Sequence, residues 1–272
     1  MQRIRLSFFG GWRLAFAVSC AAGMMAGCSS APKDNTAGWS PQKIQTEALD
    51  ERNSGNFEKA VTLFEKLEGR AAGTPLAQQA QLDKAYAQYK SGEVAQAEAT
   101  LDRFMKNHPA SPALDYALYL KGLVSFNDNL GMFGFLSHQN LSERDQQAAK
   151  VSFESFRELV TRFPDSRYAP DSRQRMVYIV NSLAEHEVHV ARYYYQRGAY
   201  LAAVNRAQTA LSDYVGAPSL EEALYILVQS YDALGMASLR DDAKRVLLTN
   251  YPHSAYLAQG FKKASDPWWK LW

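Results

Sequence analysis

The sequence predicts an all-α protein, a right-handed superhelix (solenoid) of about five antiparallel helix pairs. Three observations support this fold class. From residue 41 onward, apolar residues recur at intervals of three and four, no segment alternates as a β-strand would, and glycines recur at a spacing of 37 residues. Because a fixed period of about 20 to 50 residues is typical of repeat architectures, the pairs are expected to stack on one another.

The glycine spacing places the turns. The glycines have a small residue seven positions before them, with Val228 the poorest match, and in most units another five positions after, as Ala85 and Ala97 flank Gly92. Small residues let two helices approach closely, glycine relaxes the turn between them, and a proline ends each unit. The four glycines are Gly55, Gly92, Gly198 and Gly235, and the prolines are Pro75, Pro109, Pro218 and Pro252.

These positions resemble the tetratricopeptide repeat. A third unit fits the pattern with an interruption, because Gly122 lies 37 residues after Ala85 while Phe156 and Pro164 continue its second helix after an insertion. The predicted N-terminal repeats one to three occupy residues 41–168, with an inserted loop at about 128–145. Repeats four and five occupy 169–262, and helix-forming sequence continues through residues 170–197, so the first helix of repeat four is expected to be unusually long.

The N-terminus has the pattern of a secretory signal. Three arginines precede an apolar run that ends at Cys28, and this run is too short to span a bilayer. The junction resembles the lipobox of bacterial lipoproteins, which implies a signal peptide over 1–27 and a covalent lipid on Cys28. The alternative is an ordinary secreted protein with an incidental cysteine. Residues 28–40 are predicted to be a flexible tether, with the first helix beginning at Ser40 and Pro41.

Composition excludes several functions. The whole chain carries 30 basic and 28 acidic side chains, and removal of residues 1–27 would leave 27 basic and 28 acidic ones, so no basic surface for nucleic acid is indicated. The only other cysteine, Cys20, would leave with the signal, so no disulfide is expected.

No catalytic motif is recognisable. His186 and His189 are three residues apart rather than four, which favours packing over a metal site, and no cofactor besides the lipid is expected.

Binding is the better-supported function. In tetratricopeptide arrays the first helix of each pair lines a concave surface, and this chain places aromatic and basic residues there. Such a groove suits an extended peptide with apolar or aromatic side chains and a carboxylate. Alternatively, several of the tyrosines cover the next helix pair. The candidate groove residues are Arg52, Asn53, Tyr86, Tyr89, Lys90, Tyr116, Tyr119 and Phe126.

The chain resembles the BamD, or competence-lipoprotein-like, family of outer-membrane lipoproteins. The resemblance lies in Cys28, in an aromatic-or-His-Pro-x-Ser junction used three times (108–111, 163–166 and 251–254), in residues 197–206 and in the inserted loop. It implies a non-catalytic subunit of the β-barrel assembly machinery, lipid-anchored in the outer membrane of a Gram-negative bacterium and facing the periplasm.

The same resemblance implies the partners. The C-terminal repeats would dock on a periplasmic POTRA domain of the central barrel subunit, with Arg197 at the interface. The N-terminal repeats would bind nascent barrel proteins and accessory lipoproteins, and the groove residues become candidates for client binding. The alternative is a periplasmic repeat lipoprotein that acts as an adaptor for cell-wall enzymes or envelope constriction. For the Trp-rich tail, 263–272, packing on the last repeat and binding of a partner both stay open.

Overall fold

The structure, a computed structural model, describes residues 35–126 and 146–261. Every regular element in these two ranges is a helix, and the helices follow one another as antiparallel pairs, so the fold is all-α and of the tetratricopeptide type. The predictions for the signal peptide, Cys28, the inserted loop and the Trp-rich tail lie outside the described residues. Across the described ranges, no helix is both long enough and apolar enough to cross a membrane.

The first helix of each pair is called the A helix and the second the B helix. The N-terminal pairs are α1 (Pro41–Asn53) with α2 (Phe57–Arg70), α3 (Pro75–Lys90) with α4 (Val94–Asn107), and α5 (Leu114–Phe126) with α6 (Gln146–Arg162). The C-terminal pairs are α7 (Ala169–Gln196) with α8 (Tyr200–Asp213) and α9 (Leu220–Ala233) with α10 (Ala237–Asn250), followed by the short α11 (Ala255–Gln259).

Helix α1 begins where the sequence indicates. The side chain of Ser40 accepts a hydrogen bond from the N–H of Lys43 at 3.2 Å, and Pro41 occupies the first turn, where a missing N–H costs nothing. Helix α3 begins in the same way at Thr74 and Pro75. Both starts combine an N-cap with a proline.

The A/B turns of four pairs share one geometry. Their glycines have φ between +71° and +86°, which is the left-handed region that favours glycine. The residue after each glycine donates its N–H to the carbonyl five positions earlier, as Asn56 does to Glu51 at 2.9 Å. This is the Schellman arrangement that satisfies the last carbonyls of a helix. The four turn glycines are Gly55, Gly92, Gly198 and Gly235.

The three Pro-x-Ser junctions also repeat. In each, the serine N–H donates to the carbonyl of the first residue of the motif at 3.0 to 3.1 Å, and a helix starts soon after: an A helix in the first two and the short α11 in the third. The side chain of Ser111 donates to Gln78 at 3.0 Å and that of Ser166 donates to Asp115 at 2.6 Å. Each of these bonds ties a junction to the preceding A helix, so the B/A junctions line one edge of the solenoid and the A/B turns line the other.

The small residues predicted in the A helices are buried. Ala48, Ala85 and Ala191 have no exposed surface. Gly122 occupies the corresponding place in α5, and a Cβ there would lie 2.4 Å from the ring of Phe156, a fully buried side chain of α6. The A and B helices of the third pair are therefore closer at this point than any side chain would allow.

Helix α7 is longer than its neighbours, with 28 residues against 17 in α6 and 14 in α8, as the sequence predicts. Its 28 residues extend about 42 Å at 1.5 Å per residue. Ile179 and Leu183 pack into one core cluster with Phe126 and Phe156, whereas Ala184 and its C-terminal neighbours pack into another with α8 and α9. This helix therefore joins the N-terminal and C-terminal halves.

Residues 35–40 are held on the folded domain. Arg70, at the end of α2, donates to the carbonyl oxygen of Thr36 at 2.6 Å and to that of Trp39 at 2.9 Å. Thr36 is buried, and the ammonium of Lys43 lies 4.5 Å from the ring centroid of Trp39. Residues 35–40, which the sequence predicts to be part of a flexible tether over 28–40, therefore pack on the first helix pair.

Candidate functional site

The structure divides the eight predicted groove residues into three groups. All eight lie on A helices, as the repeat pattern requires. Four of them line one cavity, two belong to an aromatic cluster further along the solenoid, and two lie at the end of α3. The cavity residues are Arg52, Asn53, Tyr86 and Tyr116; the cluster residues are Tyr119 and Phe126; the residues at the end of α3 are Tyr89 and Lys90.

The cavity spans the first three A helices and has a volume of about 480 Å³. Arg52 and Asn53 come from the end of α1, Tyr86 from α3 and Tyr116 from α5, with Gly55 and Phe57 completing the lining. Its size falls within the range of about 300 to 1,000 Å³ found for ligand pockets. Successive repeats thus contribute one wall each.

The charge in this cavity comes from a single ion pair. Arg52 Nη1 lies 2.6 Å from Asp83 Oδ1, and the second oxygen of Asp83 accepts a hydrogen bond from Gln79 at 3.0 Å. The Asp83 side chain is only 10% exposed. Burial raises its pKa above the ordinary value, although the hydrogen bond from Gln79 and the charge of Arg52 act in the opposite direction.

The tyrosines of the cavity are packed and also line it. Tyr86 and Tyr116 are half-buried against the core cluster of α3, α4 and α5, so the expectation that tyrosines cover the next pair is also met. Burial, reinforced by the negative charge of Asp83, raises the pKa of Tyr116 to about 12. Its hydroxyl therefore stays protonated at neutral pH and can donate a hydrogen bond. The Arg52 guanidinium lies 6.0 Å from the ring centroid of Tyr86.

The second group is built around Tyr168, between α6 and α7. The Tyr119 ring stacks on it with a centroid distance of 4.7 Å and an interplanar angle of 19°, and the Tyr116 ring lies 5.6 Å away. Tyr119 donates to Asp171 Oδ2 at 2.8 Å, and that carboxylate is also bound by Arg175 at 2.6 Å. Tyr119 thus holds α5 against the start of α7.

Phe126 differs from the expectation for a groove residue. It is 5% exposed and packs in the core cluster with Phe156 and Ile179, with Tyr178 at its edge. At the end of α3, the ammonium of exposed Lys90 lies 5.9 Å from the Tyr89 ring centroid. The contiguous eight-residue groove is therefore reduced to the four-residue cavity and its aromatic border.

Arg197 lies at a second surface, on the edge of the A/B turns. It caps α7, is exposed, and its guanidinium lies 5.2 Å from the ring centroid of Tyr193. Large apolar side chains surround this turn and the next, with 37% to 62% of their surface exposed. We call them the apolar turn surface: Tyr193, Leu201, Leu234, Met236 and Leu239.

One histidine of α7 lies beside a glutamate of the same helix. His189 lies 3.7 Å from Glu185 on the same helix. In the part of the chain that the structure describes, no three His, Cys, Asp or Glu side chains are grouped as metal ligands.

Sequence reasoning missed three features of these surfaces. Asp83 could have been found as an acid on the buried face of α3, one turn from Gln79 and Tyr86. The apolar turn surface could have been found by comparing repeats, because repeat one has Glu58 where repeat four has Leu201. Tyr168 lies in a junction, where helical periodicity has no bearing, so no sequence signal marks it.

The fold and the cavity define a class, a tetratricopeptide-type helical-repeat protein whose first three A helices share one cavity. The outer membrane lipoprotein family, YfiO, matches residues 39–247, which is more than half of the chain. The chain belongs to this family.

Curated relatives carry one name. Outer membrane protein assembly factor BamD of Neisseria meningitidis serogroup B is 46% identical over 237 residues, covering 87% of this chain and 89% of the relative. BamD of Neisseria gonorrhoeae is 45% identical over the same length, with the same coverage of both chains. BamD of Vibrio cholerae is 31% identical over 227 residues, covering 84% and 94%. These relatives place the chain among the BamD proteins of this family.

Among solved structures, the TPR-like repeats of a kinesin light chain from Podosopora anserina match 79% of this chain and all of that one. The TM-score is 0.37 and the sequence identity is 14%. A likeness this distant carries no argument about function.

Proposed function

We propose that this protein is a non-catalytic lipoprotein subunit of the outer-membrane β-barrel assembly machinery. In this role it binds client barrel proteins through its N-terminal repeats and docks on the central barrel subunit through its C-terminal repeats. The observation that carries the proposal is the cavity shared by α1, α3 and α5, found in a chain 46% identical to a protein named as an outer membrane assembly factor.

The cavity suits a client strand. An extended segment of a barrel protein alternates its side chains, so every second aromatic or apolar residue faces the same way. Such a side chain can pack against Tyr86 and Tyr116, which both line the cavity, and the protonated hydroxyl of Tyr116 can donate to a main-chain carbonyl. Accessory lipoproteins are further proposed partners of these repeats.

The apolar turn surface suits a protein interface. Apolar side chains grouped at adjacent turns mark binding sites, and aromatic residues and arginine are enriched in such interfaces. The surface contains one residue of each kind, the aromatic Tyr193 beside Arg197. We assign this surface to the docking of a periplasmic POTRA domain of the central subunit, in agreement with the role expected for Arg197.

A crossed experiment separates the two surfaces. One assay measures the affinity of an aromatic-rich peptide from a barrel strand, and the other measures co-purification with the central barrel subunit. Tyr86→Ala is expected to weaken peptide binding about tenfold or more and to leave co-purification intact. The matched variant Tyr193→Ala, with Arg197→Ala, is expected to do the reverse. Unchanged peptide affinity in Tyr86→Ala would remove the cavity from the proposal.

The lipid anchor needs its own experiment, because Cys28 lies outside the described residues. Cys28→Ala is expected to release the protein from the outer membrane while still allowing the complex to co-purify, so that lipid positions the protein rather than assembling the complex. Co-purification of a peptidoglycan enzyme instead of a barrel subunit would support the alternative role of an adaptor for cell-wall enzymes or envelope constriction.

A further inference from the structure

Arg52, the positively charged residue of the cavity, already has a partner inside the protein. Arg52 Nη1 is 2.6 Å from Asp83, and its Nη2 is 3.4 Å from the side-chain oxygen of Asn53. An arginine has five N–H donors, so several remain for a ligand. Its positive charge, however, is balanced by the carboxylate of Asp83.

Asp83 is held in place. Its side chain is 10% exposed, it belongs to the middle of α3, and Gln79 binds the oxygen that Arg52 Nη1 does not contact. Neighbouring Leu82 and Ala85 are buried in the core. A rotation that freed Arg52 would leave a buried carboxylate without its cation, which is strongly unfavourable. Asp83 therefore stays beside Arg52 when a ligand enters.

A ligand carboxylate on Arg52 would meet Asp83 at short range. Asp83 would repel a second carboxylate on the same guanidinium and so cancel about half or more of the attraction of Arg52, because both interactions fall off only with the inverse of distance. A main-chain carbonyl meets no such repulsion and can accept a hydrogen bond from the remaining donors. The sequence-based expectation of a carboxylate ligand therefore does not suit this geometry.

We propose that Asp83 makes the cavity selective for the uncharged interior of an extended polypeptide, with an aromatic side chain against Tyr86 and Tyr116 and a backbone carbonyl on Arg52. This inference rests on the proposed client-binding function and adds Asp83 as its specificity-determining residue. A free C-terminal carboxylate is not the group that the cavity recognises.

The test uses one aromatic-rich peptide from a barrel strand in two forms, with a free C-terminal carboxylate and with a C-terminal amide. Dissociation constants are measured by fluorescence anisotropy for the wild-type protein, for Asp83→Asn and for the control Asp102→Asn. Asp102 is an exposed carboxylate of α4 that pairs with Lys121, outside the cavity.

In the wild type the amide is expected to bind at least as tightly as the acid. Removing the charge of Asp83 is expected to improve binding of the acid relative to the amide by about tenfold. The ratio should not change in Asp102→Asn. A wild-type protein that prefers the acid by tenfold or more would overturn the proposal, as would an unchanged ratio in Asp83→Asn.

The wild-type comparison alone decides the outcome if Asp83→Asn does not fold. Failure of both peptides to bind the wild type would instead refute the client-binding function itself, and the proposed selectivity would be refuted as well. The two failures are distinguishable, because one is an absence of binding and the other is binding with the wrong preference.

Discussion

Replacing Gly122 by alanine tests how closely the third helix pair is packed. The added Cβ would lie 2.4, 2.6 and 2.7 Å from three ring atoms of Phe156, whereas an ordinary carbon contact is about 3.5 to 4.0 Å. The ring is fully buried, so it cannot move outward into solvent. Either the ring or the α5 backbone must therefore shift by about 1 Å.

The expected net effect is a loss of stability. Overpacking of this kind costs about 2 to 3 kcal/mol, and alanine regains about 1 kcal/mol from its better helix propensity. The free energy of unfolding should fall by about 1 to 2 kcal/mol, which lowers the Tm by about 2 to 8 °C for a chain of this size. Urea unfolding followed by far-UV circular dichroism measures the change.

Gly69 provides the matched control. It lies exposed in α2, and a Cβ there would have no heavy atom within 4 Å. Gly69→Ala is therefore expected to raise the free energy of unfolding by about 0.5 to 1 kcal/mol through helix propensity alone. Equal effects of the two substitutions would refute the close approach of α5 and α6. Partial recovery in Gly122→Ala/Phe156→Leu, relative to the two single variants, would support it.

Three further predictions concern buried charge and turn geometry. Among the residues that the structure describes, Arg192→Ala leaves the buried carboxylate of Glu222 with the Tyr256 hydroxyl at 3.0 Å as its one remaining side-chain partner. Thermal or urea unfolding should therefore show a loss of about 2 to 3 kcal/mol; no loss would mean that the pair contributes nothing. Burial raises the pKa of Asp83 above 3.8, so the folded state binds this proton more tightly than the unfolded chain does. The ionised carboxylate therefore destabilises the fold, and this loss disappears as the pH falls through the folded-state pKa. Asp83→Asn should therefore become more stable relative to the wild type as the pH rises from about 4 to 7, and melts that show a flat or opposite trend would contradict this sign. Gly198→Ala, at φ +74° with open space around it, should lose about 1 kcal/mol from backbone strain in urea unfolding, whereas a neutral result would argue against the left-handed turn.

The repeat architecture could be predicted from sequence because its signals are local. A glycine with positive φ, a small residue two turns earlier and a proline after the pair act within one helix hairpin, and each repeats along the chain. The length of α7 could be predicted for the same reason, since helix-forming sequence continues from residue 170 to the turn at Gly198.

The binding site could be predicted only in part. Repeat position correctly places the candidate residues on A helices, but it does not specify how side chains pair between helices. Asp83 neutralises Arg52 from 31 residues away, and Tyr168 brings Tyr116 and Tyr119 together from a junction. These contacts depend on the stacking of neighbouring pairs, which periodicity within one helix does not determine.

The position of α7 has a consequence for how the protein unfolds. In a simple solenoid each repeat contacts only its neighbours, so one end can open while the other stays folded. Here a single helix carries Leu183 in the core of one half and Ala184 in the core of the other, and Tyr214, the residue after α8, packs against both. Opening either half would expose an apolar face of α7 to water. The two halves are therefore expected to melt together as one cooperative unit, with fraying confined to the outer pairs.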